Sequence, residues 1–310
     1  MWLLICSSRT VNMLDEILSI RFAMVIVGSS IVAGELSIQK LPIFLISELR
    51  FLIASAILVP IWLLYEGRPS LKIKDALLLL LQALCGVFLF NIFMLTGLKS
   101  TSAIDAGIIS STAPAAVCLL AFFLFGERLT LHRFAAILLA VTGASVLQLT
   151  GFSAGNETDG HLLGNVFILA AVICEALFVS LGKLVSARVS PLGISTVVSI
   201  YGAIMFFRFS LQEFKKVSLP VITFETYGII LYYGIIVTVV AFLLLYQGLT
   251  KISAGTAGVL SAITPVSTAI LSILILGEKL TFLHVIGISL VFAAIFFASI
   301  PVKKVVSEVK

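Results

Sequence analysis

Ten apolar runs, each about as long as a bilayer is thick, restrict the folding of this chain more than any other feature. They lie near residues 17–36, 42–64, 76–97, 102–125, 131–150, 162–183, 191–208, 226–248, 253–276 and 281–300. A helix needs roughly 20 apolar residues to cross the hydrocarbon layer, where every backbone amide must find its partner within the protein. The runs are too long for the strands of a membrane barrel and lack their alternation. Composition excludes the soluble alternative. Of 310 residues, 60% are hydrophobic and 11% charged, too few charges to cover a water-exposed surface without large apolar patches. The expected fold class is an all-α integral membrane protein with ten transmembrane helices.

The charged residues orient these spans. Thirteen Lys and Arg fall on the side of the two termini (Arg9, Arg21, Arg68, Lys72, Lys74, Arg128, Arg133, Lys183, Arg188, Lys251, Lys303, Lys304, Lys310). Six fall on the other side (Lys40, Lys99, Arg208, Lys215, Lys216, Lys279), and Arg50 lies inside a helix. Basic loops stay in the cytoplasm, so both termini are expected there, in a bacterial plasma membrane. Tyr65 and Trp62 at one helix end, and Tyr227, Tyr232 and Tyr233 at another, suit an interfacial aromatic belt. The net charge of +5 comes without any basic cluster longer than two residues, so nucleic acid is not an expected partner. Cys6, Cys85, Cys118 and Cys174 have no CxxC spacing, and His132, His161 and His284 are scattered. No metal site or other cofactor is expected, and without a Walker motif ATP is not the direct energy source.

The chain also repeats itself. Shifted by 151 residues, positions 97–130 fall on 248–281 without a gap, and 13 of the 34 pairs are identical. They include Ser102/Ser253, Gly107/Gly258, Ser110/Ser261, Pro114/Pro265, Gly126/Gly277 and Glu127/Glu278. Each copy holds five spans, and an odd number forces the second copy to enter from the opposite face. The expected organisation is a tail at 1–16, a first five-helix repeat at 17–150, an outside loop at 151–161, a second repeat at 162–300 and a cytoplasmic tail at 301–310. Met1 and Met13 are both candidate starts. Inverted repeats belong to transporter architecture, because two similar halves can exchange conformations.

The same residues carry a family resemblance. The pattern Gly-Leu-x3-Ser-Ala-x2-Ala-Gly, a mid-helix Pro and Gly-Glu-x-Leu-Thr occurs at Gly97–Gly107, Pro114 and Gly126–Thr130. It recurs at Gly248–Gly258, Pro265 and Gly277–Thr281, and Pro42 and Arg50-Phe51 fit the second helix. Over about residues 17–300 the chain resembles the EamA-type branch of the drug/metabolite transporter superfamily. The resemblance implies ten helices in two repeats and movement of amino acids, metabolites, nucleotide-related compounds or drugs, often outward.

Several polar residues sit too deep for loops. Glu175 lies about 20 Å along its span, where a charge costs at least about 2.5–3.5 kcal/mol. It must face the interior, protonated or paired, as a proton-coupling group, a counter-charge for substrate or a structural hydrogen bond. Glu48 and Arg50, two apart, point to different faces of one helix and cannot simply pair; Arg50 is either a structural ion pair or a contact for a substrate anion. Asn91, Tyr246 and Gln247 add polar groups at comparable depth. Pro114 and Pro265 should kink their helices and free the carbonyls of Ser110 and Ser261, either to line a central cavity or only to shape the packing. Ala103, Ala106, Gly107 and their repeats form faces for close helix packing. Glu127 and Glu278, each after a glycine, read as turns favouring a helix start rather than catalytic acids.

These readings point to a secondary transporter, an exporter of a small polar organic metabolite such as an amino acid, working by alternating access around a midplane site between spans 3, 4, 8 and 9. Its partners are substrate and lipid, with protons as candidate coupling ion and the oligomeric state open. The alternatives are a passive facilitator and, with less support from three scattered histidines, an intramembrane lipid-modifying enzyme. The chain is not expected to be an enzyme.

Overall fold

The computed structural model describes residues 2–67, 71–110, 112–125, 134–135, 138–139, 142, 158–215, 224–252, 257, 260–261, 263–277 and 282–299. Among them there is no strand, and the apolar runs are helices: α1 (Trp2–Ile38), α2 (Ile43–Glu66), α3 (Ile73–Gly97), α4 (Ala103–Ser110) and α5 (Ala113–Phe125). After these come α6 (Thr158–Ser186), α7 (Pro191–Phe214), α8 (Phe224–Leu249), α9 (Ile263–Leu271, continued by a π-helical turn at Ser272–Leu276) and α10 (Phe282–Ser299). Six segments are long and apolar enough to cross a membrane: Leu18–Ile38, α2, α3, Leu162–Ser186, α7 and α8. Large apolar side chains such as Leu64, Phe123, Ile204 and Leu274 stay exposed on the outer faces, where lipid replaces water as solvent. The fifth predicted span, Gly126, Glu127 and Glu278 lie wholly or largely outside the described residues.

Each proline was expected to kink a continuous helix, but the break comes ahead of it. Ser110 ends α4, Thr112 donates its amide to the Ile109 carbonyl at 3.0 Å, and Pro114 is the second residue of α5. In the second copy the Thr264 amide bonds the Ser261 carbonyl at 3.0 Å, and Pro265 lies in the first turn of α9. A proline in a first turn forfeits no hydrogen bond, because that amide has no helical partner. Gly277 closes α9 in the left-handed region, at φ 68°, the turn expected of its Gly-Glu pair.

The helices of the two halves interleave. α1 packs against α8 and α9, and α6 packs correspondingly against α3, α4 and α5. α2 packs along α7, while α4 lies against α9. Small residues permit these approaches. A Cβ on Gly97 would stand 2.9 Å from the Gly164 carbonyl oxygen, and one on Gly107 2.8 Å from Thr268 Cγ2. At the helix ends, polar groups meet in pairs. Arg188 pairs with Asp75 at 3.1 Å near one face, and Lys40 pairs with Glu225 near the other. There Glu213 Oε2 also accepts the Leu45 amide at 2.9 Å, satisfying an orphan donor in the first turn of α2.

The tightest approach is testable. A Cβ on Gly28 of α1 would fall 1.8 Å from Ser267 Oγ and 2.5 Å from the Thr264 carbonyl oxygen of α9, whereas Gly228 has nothing within 4 Å. Gly28→Ala therefore lowers the thermal unfolding midpoint in detergent, by an overpacking cost of about 1–3 kcal/mol, and Gly228→Ala does not.

Candidate functional site

The site begins with two irregular helices. α3 changes to π-helical winding at Leu84–Leu89 and α8 at Tyr232–Val240. The two stretches end 151 residues apart, at the spacing of the sequence repeat. A π turn inserts an extra residue and redirects the side chains that follow. In α8 it sets Thr238 five residues past Tyr233, where its hydroxyl donates to the Tyr233 carbonyl at 2.8 Å. In α3 Asn91 follows directly and donates Nδ2 to the Val87 carbonyl at 2.6 Å.

These two residues hold Arg50 from opposite helices. Its Nε donates to Thr238 Oγ1 at 2.6 Å and its Nη1 to Asn91 Oδ1 at 3.1 Å. The guanidinium carbon lies 5.0 Å from the Phe51 ring centroid and 5.2 Å from that of Tyr233, within cation–π range. The group is buried, yet no carboxylate among the described residues pairs with it. Glu48, its near neighbour in sequence, is also buried and does not face it; neither of its carboxylate oxygens has a hydrogen-bond partner.

Arg50 and Asn91 open onto a cavity of about 60 Å³, room for a few waters. Glu175 of α6 lines it too, with no hydrogen bond or ion pair among the described residues. The remaining wall is apolar, with Phe51, Phe90, Phe178 and Phe242 its largest groups. Ten of the fifteen lining residues fall into pairs 151 apart: Met24/Glu175, Val27/Phe178, Gly86/Val237, Phe90/Ala241 and Asn91/Phe242. The cavity is thus built from equivalent positions of the two copies, and its polarity comes from their differences: Glu175 stands where the first copy has Met24, and Asn91 where the second has Phe242.

Of the residues singled out from sequence, this cavity brings together Glu175, Arg50 and Asn91. Tyr246 is fully buried just beyond, and Gln247 is exposed on the outside of α8. Ser110, Pro114 and Ser261 are buried but not in its lining, which among the described residues comes from α1, α2, α3, α6 and α8 and takes nothing from α4, α5 or α9. In the packing, α4 meets α9 at Gly107 and Thr268, and α9 also meets α1 at Gly28. Gln82, Thr238 and Tyr233 escaped the sequence reading. Gln82 is the one amide in a leucine-rich stretch, Leu77–Leu84, and its depth was a usable signal. Tyr233, read as an interfacial aromatic, is buried instead, while Tyr65 and Tyr227 are exposed.

The sequence profile of the EamA-like transporter family matches residues 16–149 and again residues 162–300. The chain belongs to this family. Its similarity to the uncharacterized transporter YetK of Bacillus subtilis is 43% identity over 287 residues, covering 92% of this chain and 87% of that protein. The uncharacterized transporter YyaM of the same organism is 28% identical over 251 residues, covering 81% and 82%. A chloroplastic WAT1-related protein of Arabidopsis thaliana is 27% identical over 286 residues, covering 88% and 67%. One solved crystal structure shares the fold, with a TM-score of 0.67 and 19% identity over 94% of this chain and 98% of its own. The EamA-like cavity described above thus belongs to an integral membrane protein of the drug/metabolite transporter superfamily.

The support of Arg50 can be measured. Thr238→Val keeps the volume but removes the acceptor, leaving a buried charged donor unpaired at a cost of about 1–3 kcal/mol. It lowers stability in detergent unfolding, and Thr238→Ser, which keeps the hydroxyl, restores most of it.

Proposed function

We propose that this EamA-like protein is a secondary transporter that exports a small polar organic metabolite, an amino acid or a related compound, by alternating access. In this reading the chain forms ten transmembrane helices as two inverted five-helix repeats, with both termini on the cytoplasmic side of a bacterial plasma membrane. The observation that carries it is the cavity itself: an unpaired Glu175 carboxylate and an Arg50 guanidinium without a carboxylate partner line one space with apolar walls. A compound bearing both charges would satisfy both groups, and aromatic walls would take an apolar side chain. The interleaved helices and the lining pairs at 151-residue spacing support two equivalent halves meeting at a central site, as alternating access requires. Glu175 is also the group through which protons would couple to transport.

Counterflow in proteoliposomes tests this reading with a panel of radiolabelled amino acids and their decarboxylated and deaminated analogues. At least one zwitterion should be taken up faster into liposomes preloaded with the same compound, and the singly charged analogues should compete weakly. Arg50→Gln should weaken apparent affinity about tenfold or more, the equivalent of a lost charged hydrogen bond. Glu175→Gln should abolish any dependence of the rate on pH. If folded parent protein moves no compound of the panel, the proposed substrate class is wrong.

A further inference from the structure

Beyond Arg50 and Glu175, buried polar contacts flank the cavity at two places, and their donors occupy equivalent positions. Gln82 of α3 and Tyr233 of α8 are 151 residues apart. Each is buried and reaches from the third helix of one half to a main-chain carbonyl on the first helix of the other half. Gln82 donates Nε2 to the Phe178 carbonyl of α6 at 2.9 Å. Tyr233 donates its hydroxyl to the Ser30 carbonyl of α1 at 2.5 Å. Both carbonyl-bearing residues line the cavity.

The two contacts lie at opposite ends. Gln82 also donates to the Tyr246 hydroxyl at 2.9 Å, and Tyr246 and Tyr233 are both on α8. Thirteen residues separate them, about 20 Å along a helix, and Val237, Ala241, Phe242 and Leu245 between them face the cavity. Each end is reinforced. Beside Gln82 the chains approach so closely that a Cβ on Gly182 would stand 2.7 Å from its Nε2, and one turn on Lys183 donates Nζ to the Leu249 carbonyl at 2.7 Å. Beside Tyr233, Tyr232 and Ser29 share a further hydrogen bond between α8 and α1.

We propose that Gln82 and Tyr233 are latches for the two ends of the cavity, Gln82 towards the face carrying the Asp75–Arg188 pair and Tyr233 towards the face carrying the Lys40–Glu225 pair. Opening one end parts α3 from α6, and opening the other parts α8 from α1. Each latch closes with hydrogen bonds to a backbone carbonyl that remains helical in either state, so it can break and re-form without unfolding its partner. The inference rests on the alternating-access reading but assigns it residues outside the cavity lining.

The test needs no substrate. In a chain whose four cysteines are replaced by alanine, Ala241→Cys places a thiol in the cavity wall. A membrane-impermeant, positively charged methanethiosulfonate reagent is applied to right-side-out and inside-out vesicles. Relative to the parent reporter, Gln82→Met should speed labelling from the Asp75–Arg188 face about tenfold and slow it from the other. Tyr233→Phe should do the reverse; the magnitude is that of one lost buried hydrogen bond. If Gln82→Met does not fold, Tyr246→Phe removes part of the same latch and should act in the same direction. Acceleration from the same face by both variants, or rates unchanged from either face, overturns the latches. Counterflow on the same vesicles separates the two ideas: intact counterflow with unchanged labelling removes the latches alone, and absent counterflow in the parent removes the transporter reading.

Discussion

Inside a lipid layer a polar group must be satisfied by the protein, because nothing else there can do it. The arrangement around Arg50 follows from this constraint. A guanidinium offers five donors, and in the described structure Thr238 and Asn91 take two of them while two aromatic rings cover its faces. Supplying those acceptors needs side chains from α3 and α8 at one level, and the π turns in both helices aim them there. The donors left over, with the unpaired Glu175, give an otherwise apolar cavity its chemistry.

How much of this was legible depends on the range of the interaction. The apolar runs place α2, α3, α6, α7 and α8 within a few residues, because burial in lipid is written locally, residue by residue. The depth of Glu175 and Arg50 was legible for the same reason, and both reach the cavity. The small-residue stripe of the first copy marked close packing, and Gly107 meets Thr268 there; most of its repeat at Ala254, Ala257 and Gly258 lies outside the described residues. Which helix each stripe meets was not legible, because α4 against α9 is a contact between residues some 160 apart; of the spans 3, 4, 8 and 9 expected around a central site, spans 3 and 8 line the cavity among the described residues, together with α1, α2 and α6. The π turns had no sequence signal, since one inserted residue in a helix alters neither its hydropathy nor its length.

The duplicated positions show how one scaffold acquires local chemistry. Ten of the fifteen lining residues come in equivalent pairs from the two copies, yet the members of a pair differ in chemistry. Met24 against Glu175 and Phe242 against Asn91 place a charge and an amide where the other copy is apolar. Changing one member of a pair alters the cavity without disturbing its geometry, since both members keep their packing positions.

The exchange of first helices between the halves bears on how the chain is made. α1 finds its contacts in α8 and α9, and the bonds from Thr264 and Thr268 back to Met24 and Gly28 span 240 residues. At a synthesis rate of about 5–20 residues per second, the first helix waits on the order of 10–50 seconds in the bilayer before its partners are inserted. During that interval Gly28 and its neighbours present a bare seam to lipid. Assembly is therefore a late event, completed only after the second copy has been translated.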